Sequence, residues 1–446
     1  MKSLEWKLIP IFILMLISLS ACSDQTPPEQ VPPTPTIIEV NPTQSEISPS
    51  PEGVDIGLTY QRADGNRLVE GQGNVPGLAP LRVPLPGQIE WLVAVPYQGG
   101  SLWAAVLEDG TVIPVLVREG QAEILDLGWG PLPPGTPPLV VAAGSGVDLY
   151  GPATAAASTL THPAFLSADP LRLAFVESGG DLVLLEEGIE IARLAAEALP
   201  DARVLVDDQG RLLFLSGPTT SYGHAVLGDG IEASSITLVE TQPALQVLKR
   251  IVIPAPGVVE GIAPLWADLD GDGQREILVT VSDPDQGAQL VLYSEDGVRL
   301  AAGPPAGQGY RWRHQLLALP LDGGAEYAVY DVLRPHLDAL FEVFRWRGEF
   351  LTAMEYIPNY PSHTIGSRNL DQTLAGDLDG DGYPEVVVPG SNGTTLNGLF
   401  YLEGALGQAW SVALGGKLTS NLAGLSLPDG SLALGAGVGE AILIWE

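Results

Sequence analysis

From about residue 54 onward, short apolar runs alternate with polar turn dipeptides: "LEDGTVIPVLV", "SGGDLVLLEEG", "DDQGRLLFLSG", "LVLYSEDGVRL", "FEVFRWRGEFL" and "LFYLEGALGQAW". Most of these set β-branched, aromatic or other apolar residues beside Asp-Gly, Glu-Gly or a similar turn, which is the signal of a β-hairpin. The pattern predicts many short strands. The one stretch with helical spacing, "EIARLAAEAL" at 190–199, predicts at most a few helical turns.

The runs also repeat. Aligning Glu276 with Glu326 and Glu385 superposes "ADLDGDGQREILV" on "LALPLDGGAEYAV" and on "GDLDGDGYPEVVV". The middle copy keeps Asp322, Gly323 and Glu326 but has Ala318 and Pro320 where the outer copies have aspartates. A tyrosine in a hairpin follows each strong copy at similar distance, Tyr293 and Tyr401. The repeating unit therefore includes the hairpin and spans about 54 residues, enough for four strands. Dividing the chain after residue 54 by that period predicts an all-β fold, a β-propeller of seven blades. Two β-sandwich domains are the runner-up, but they give no reason for the repeat.

Composition refines this picture. With 53 Gly and 39 Pro the chain is turn-rich, and 45% apolar residues suffice for a large core. A formal charge of −33 repels phosphate backbones, so nucleic acid is not an expected partner. At the N-terminus Lys2 and Lys7 precede an apolar run from Leu8 to Leu19, too short to span a membrane as a helix and of signal-peptide length. The run closes on "LSAC", which resembles the lipobox of bacterial lipoproteins. That resemblance implies cleavage after residue 21, lipidation of Cys22, the only cysteine, and an extracytoplasmic place in the cell envelope. Residues 22–53, rich in Pro, Ser, Thr and Glu, predict an extended tether between the membrane and a monomeric body at 54–446.

The acidic loops carry the candidate chemistry. Aspartates at positions 1, 3 and 5, Gly at 6 and Glu at 9 give Asp268, Asp270, Asp272, Gly273 and Glu276 in one copy, and Asp377, Asp379, Asp381, Gly382 and Glu385 in the other. A loop coiled around a point sends alternate carboxylates inward, and Gly allows the sharp turn. Such a set of hard oxygen ligands favours calcium over magnesium. An EF-hand is excluded, because position 12 is Val279 or Val388 and the following residues read as strands.

The motif D-x-D-x-D-G-x-x-[DE] followed by a strand resembles the FG-GAP repeats of integrin α-chain propellers and their bacterial relatives. The resemblance covers residues 261–304 and 372–412, with a degenerate copy at 314–356. It implies calcium held by the acids at positions 1, 3, 5 and 9 and by the main-chain carbonyl of position 7, here Gln274 and Tyr383.

The five histidines form no H-E-x-x-H, and no G-x-S-x-G elbow occurs. The expected role is a binding module for protein or glycan, with calcium structural. The alternative is a propeller enzyme acting on an extracellular polymer such as a polysaccharide. Tyr310, Trp312, His314, Tyr356 and Tyr360, between the expected blades, are candidates for a recognition surface.

Overall fold

Strand by strand, burial follows position within each sheet. In the sheet formed by Ile89–Tyr97, Gly100–Leu107, Val112–Arg118 and Gln121–Ile124, the second strand, "GSLWAAVL", is buried almost throughout, whereas the fourth, "QAEI", is fully exposed. The same exposed fourth strand recurs at Ile189–Leu194, Phe350–Ile357 and Ala405–Ala413. Apolar runs thus occupy the inner strands, and alternating polar sequence forms the outer rim. Between strands the Asp-Gly turns close as their chemistry dictates: the Asp109 carboxylate accepts the Thr111 N–H at 2.9 Å.

The computed structural model describes residues 53–446 except 60–64, 153–155, 157, 159, 160, 162, 322–325 and 368. Cys22, the signal segment 1–21, nearly all of the tether, and Asp322 and Gly323 of the middle copy lie outside the described residues.

The described chain is all-β, and its only helical turn is a 3-10 turn at Val75–Gly77. Its strands form successive antiparallel meanders, the topology of a β-propeller. Among the described residues there are eight such groups, seven of four strands and one of three. The period read from the acidic copies gave seven. The N-terminal units are shorter than those copies, as in the sheet from Leu171 and its neighbours at residues 164–194.

The N-terminal segment is distributed over three sheets. Val54–Gly57 pairs with Leu139–Ala143, Leu68–Gln72 runs parallel to Leu374–Asp377, and Leu81–Pro84 pairs with Ala441–Trp445. The last pairing puts a strand of the N-terminal segment on the outer edge of the final sheet, so that residues from both ends of the described chain complete it. Between the first two, the Asn66 side chain bonds both the N–H and the carbonyl of Ala318.

Apolar clusters fill the spaces between neighbouring sheets. One joins Trp103, Ile113 and Val115 to Ala433, Ile442 and Ile444, and another joins Leu317, Phe341 and Val343 to Val386, Val388 and Leu399. Gly435 is required at the first, because a Cβ there would stand 2.2 Å from the Trp103 ring.

The expected helix at 190–199 is not formed. Ile189–Leu194 is a strand on Leu182–Glu186, with a register shift between Leu184 and Leu185. Its local spacing is overruled by an unpaired sheet edge that needs a partner for its N–H and C=O groups.

Candidate functional site

The two acidic loops occupy equivalent places. Each links the first strand of a sheet to the second: Leu265–Ala267 to Glu276–Asp283, and Leu374–Asp377 to Glu385–Pro389. Both fold by the same hydrogen bonds. Gly271 N–H and Gly273 N–H donate to the two oxygens of Asp268 at 2.7 and 3.0 Å, and Gly380 and Gly382 do the same to Asp377 at 2.8 and 3.1 Å. Asp272 N–H donates to Asp270 and Asp381 N–H to Asp379, both at 3.2 Å. Gln274 N–H donates to Asp272 at 2.7 Å and Tyr383 N–H to Asp381 at 2.9 Å. The glycines at positions 4 and 6 have φ between +78° and +93°, so the coil needs them.

This coil gathers oxygens. In the second loop one carboxylate oxygen from each of Asp377, Asp379, Asp381 and Glu385 lies within 4.8 Å of the others. In the first loop Asp268, Asp270 and Asp272 meet the same limit. Two oxygens bound to one calcium at 2.3–2.6 Å stand at most about 5 Å apart, so both sets fit that ion. Glu276 falls outside the first cluster, and its Oε2 accepts the Leu269 N–H at 2.9 Å. Glu385 makes the matching bond to Leu378 N–H at 3.0 Å, but Trp410 Nε1–H also donates to it at 3.3 Å. No tryptophan stands on the fourth strand of the first sheet, Arg299–Ala302.

The crowded carboxylates favour neutralisation. Burial, reinforced by the loop aspartates, pushes the Glu276 carboxyl up to about 7, and burial together with Asp379 pushes Glu385 up to about 8. Asp270 and Asp379 are raised in the same direction, again chiefly by burial.

In the degenerate copy Ala318 and Pro320 end the strand Arg313–Pro320. Glu326 there is paired with the guanidinium groups of Arg345 and Arg347. Fixed cations thus compensate Glu326, the retained acid of this copy that lies among the described residues.

The connections between sheets, and the turns between second and third strands, emerge at the opposite end of the strands. No sequence motif marks this end, yet side chains converge there. His224 Nδ1 bonds Glu260, which is fully buried and accepts the Ser282 hydroxyl at 2.5 Å. The Tyr310 ring stacks on His224 with centroids 5.2 Å apart. Glu232, on the neighbouring strand, is pushed up to about 8 by burial and by Glu260, Asp201 and Asp229. Partners separated by 36 and 22 residues leave no local signal.

The expected aromatic surface is divided. Tyr310 and Tyr356 are exposed, but Trp312 and His314 are buried and stack on each other at 5.1 Å. Trp312 Nε1–H donates to the Glu260 carbonyl, and the Tyr360 hydroxyl donates to Gln408. Trp312 and His314 therefore serve packing beneath the surface, because their inward-facing positions at the start of a first strand leave them no solvent.

No protein-family model matches the chain, and no curated protein matches it. Among solved structures it is similar to a chain of the mitotic checkpoint complex, at 10% identity and a TM-score of 0.41, covering 82% of this chain and 94% of that one. It is similar to BBS1N from its complex with ARL6DN, at 14% identity and a TM-score of 0.42, covering 82% and 95%. The WD40 β-propeller domain of Doa1 is similar at 9% identity and a TM-score of 0.38, covering 88% and 97%. The propeller assignment here rests on the strand pairing itself.

Proposed function

We propose that this protein is a lipid-anchored, extracytoplasmic β-propeller that binds a protein or glycan, with one structural calcium ion in each acidic loop. The observation that carries the reading is the duplication: two loops in separate sheets share four matched sets of hydrogen bonds and gather carboxylates to ion-binding distance. All the loop acids serve as ligands or turn acceptors, which supports a structural role. The Gln274 and Tyr383 carbonyls would complete the oxygen set.

The ion relieves repulsion among the carboxylates and so fixes the turn between first and second strands. The ligand-binding face in this reading is the opposite end. Tyr310, Leu337 and Ile365 stand in its connections and turns at 55, 81 and 71% exposure and offer a ligand apolar contacts there. Cys22, through its lipid, holds the body at a membrane of the cell envelope.

The test uses the full chain in detergent. Chelation is expected to lower the melting temperature, and Cys22→Ala is expected to move the protein out of the detergent phase or leave its precursor uncut. An unchanged melting temperature with chelator sinks the calcium part, and unchanged processing and partitioning in Cys22→Ala sink the anchor.

A further inference from the structure

Three of the chain's five histidines meet at the end of the strands opposite the acidic loops. His314 lies on Arg313–Pro320, His336 in the turn after Tyr327–Leu333, and His363 in the connection to the next sheet. The Nε2 atoms of His336 and His363 are 2.9 Å apart, with ring planes 72° to one another. His363 Nδ1 is bonded to the buried Ser362 hydroxyl at 2.9 Å, which fixes the ring's orientation and leaves Nε2 as its working atom. His314 stands edge-on to His363 at 5.6 Å, and its buried Nδ1 has no hydrogen-bond partner.

We propose that His336 and His363 form a site for one zinc-class transition-metal ion, held through the two Nε2 atoms with its remaining positions open to water or an outside ligand. The chemistry follows from the donor set. Imidazole nitrogens suit zinc, copper and nickel, whereas calcium and magnesium take oxygen. The Ser362 hydroxyl can accept the far N–H of His363, the place that a carboxylate, carbonyl or water takes beside most metal-bound histidines. Two nitrogens bound tetrahedrally at about 2.0–2.1 Å stand roughly 3.3 Å apart, so the pair need open by only a few tenths of an ångström. The ion displaces the proton shared between the two Nε2 atoms, and by exchange with water it passes to the Nδ1 of the ring that held it, so both ligands remain neutral imidazoles. His363 is 2% exposed and His336 is half-buried, which leaves one side of the pair open to an arriving ion.

The test is titration of the full chain with Zn2+ in saturating Ca2+, which keeps the acidic loops occupied, followed by electron paramagnetic resonance with Cu2+ as probe. The expected result is one saturable Zn2+ per chain and a Cu2+ signal split by two nitrogens. His336→Ala and His363→Gln are each expected to weaken Zn2+ binding at least tenfold, and Asp270→Ala and Asp379→Ala to leave it unchanged. His336 is partly exposed, so its variant decides the matter should His363→Gln not fold. No saturable uptake, or uptake unaltered in folded His336→Ala, overturns the site and leaves the pair as a hydrogen bond.

Discussion

The loops at 268–276 and 377–385 share a nine-residue motif and a turn, yet differ in what surrounds them. The second is braced from outside. Gln72 Nε2–H donates to Asp377 at 3.2 Å, Gly73 N–H to the Asp377 carbonyl at 2.7 Å, and Val75 N–H to the Leu378 carbonyl at 2.8 Å. Trp410 holds Glu385. Among the described residues no parallel strand lies beside the first loop, and Asp268 is half-buried where Asp377 is 8% exposed. The spacing of acids makes the turn, but contacts from residues distant in sequence bring the fourth carboxylate to the other three. On the calcium reading proposed above, the second loop is therefore expected to be the tighter site.

The largest effect belongs to Asp377→Ala, which removes a ligand and the Gln72 contact together. A bound ion a hundredfold above its Kd stabilises by about 2.7 kcal/mol, and this variant is expected to lose that calcium-dependent term from its second loop. Calorimetry with and without chelator reads it; a chelator shift equal to wild type contradicts the site. Asp268→Ala is expected to lose only the first loop's smaller term.

Trp410→Phe sharpens the contrast by removing the indole N–H from Glu385. The second loop's calcium affinity is expected to fall about tenfold, roughly 1.4 kcal/mol, toward that of the first. Equal affinities of the two loops in wild type would break the comparison.

The degenerate copy supplies the next contrast, since Arg345 and Arg347 already neutralise Glu326. Asp322→Ala is expected to leave calcium stoichiometry at the wild-type value. A lost ion would assign a site to this copy.

A control lies outside both loops. Burial raises Glu232 from its ordinary 4.5 to about 8, so the folded state holds a proton there that the unfolded state has released. Its contribution makes stability fall as pH rises from about 4.5 to about 8. Glu232→Gln is expected to flatten that slope, with Asp268→Ala retaining it; melting curves across this range that do not change in Glu232→Gln refute the assignment.

Strands and acidic turns were legible because their determinants are local. Alternation, Asp-Gly turns and the 1-3-5-9 spacing all lie within a dozen residues. What escaped depends on distance. Leu81–Pro84 pairs with the C-terminal strand, and Gln72 reaches Asp377 across 305 residues. His336 and His363 share no motif, and Glu260 meets His224 only because successive connections emerge at one end. At 190–199 the local signal itself misled, because sheet pairing outweighed helical spacing.

The most direct measurement is an isothermal titration of the calcium-free full chain with Ca2+, repeated for Asp270→Ala and Asp379→Ala. The account predicts two ions per wild-type chain in a tighter and a weaker class, with Asp379→Ala losing the tighter and Asp270→Ala the weaker. Absence of calcium uptake by the wild-type chain would reduce both loops to solvated turns and contradict the account.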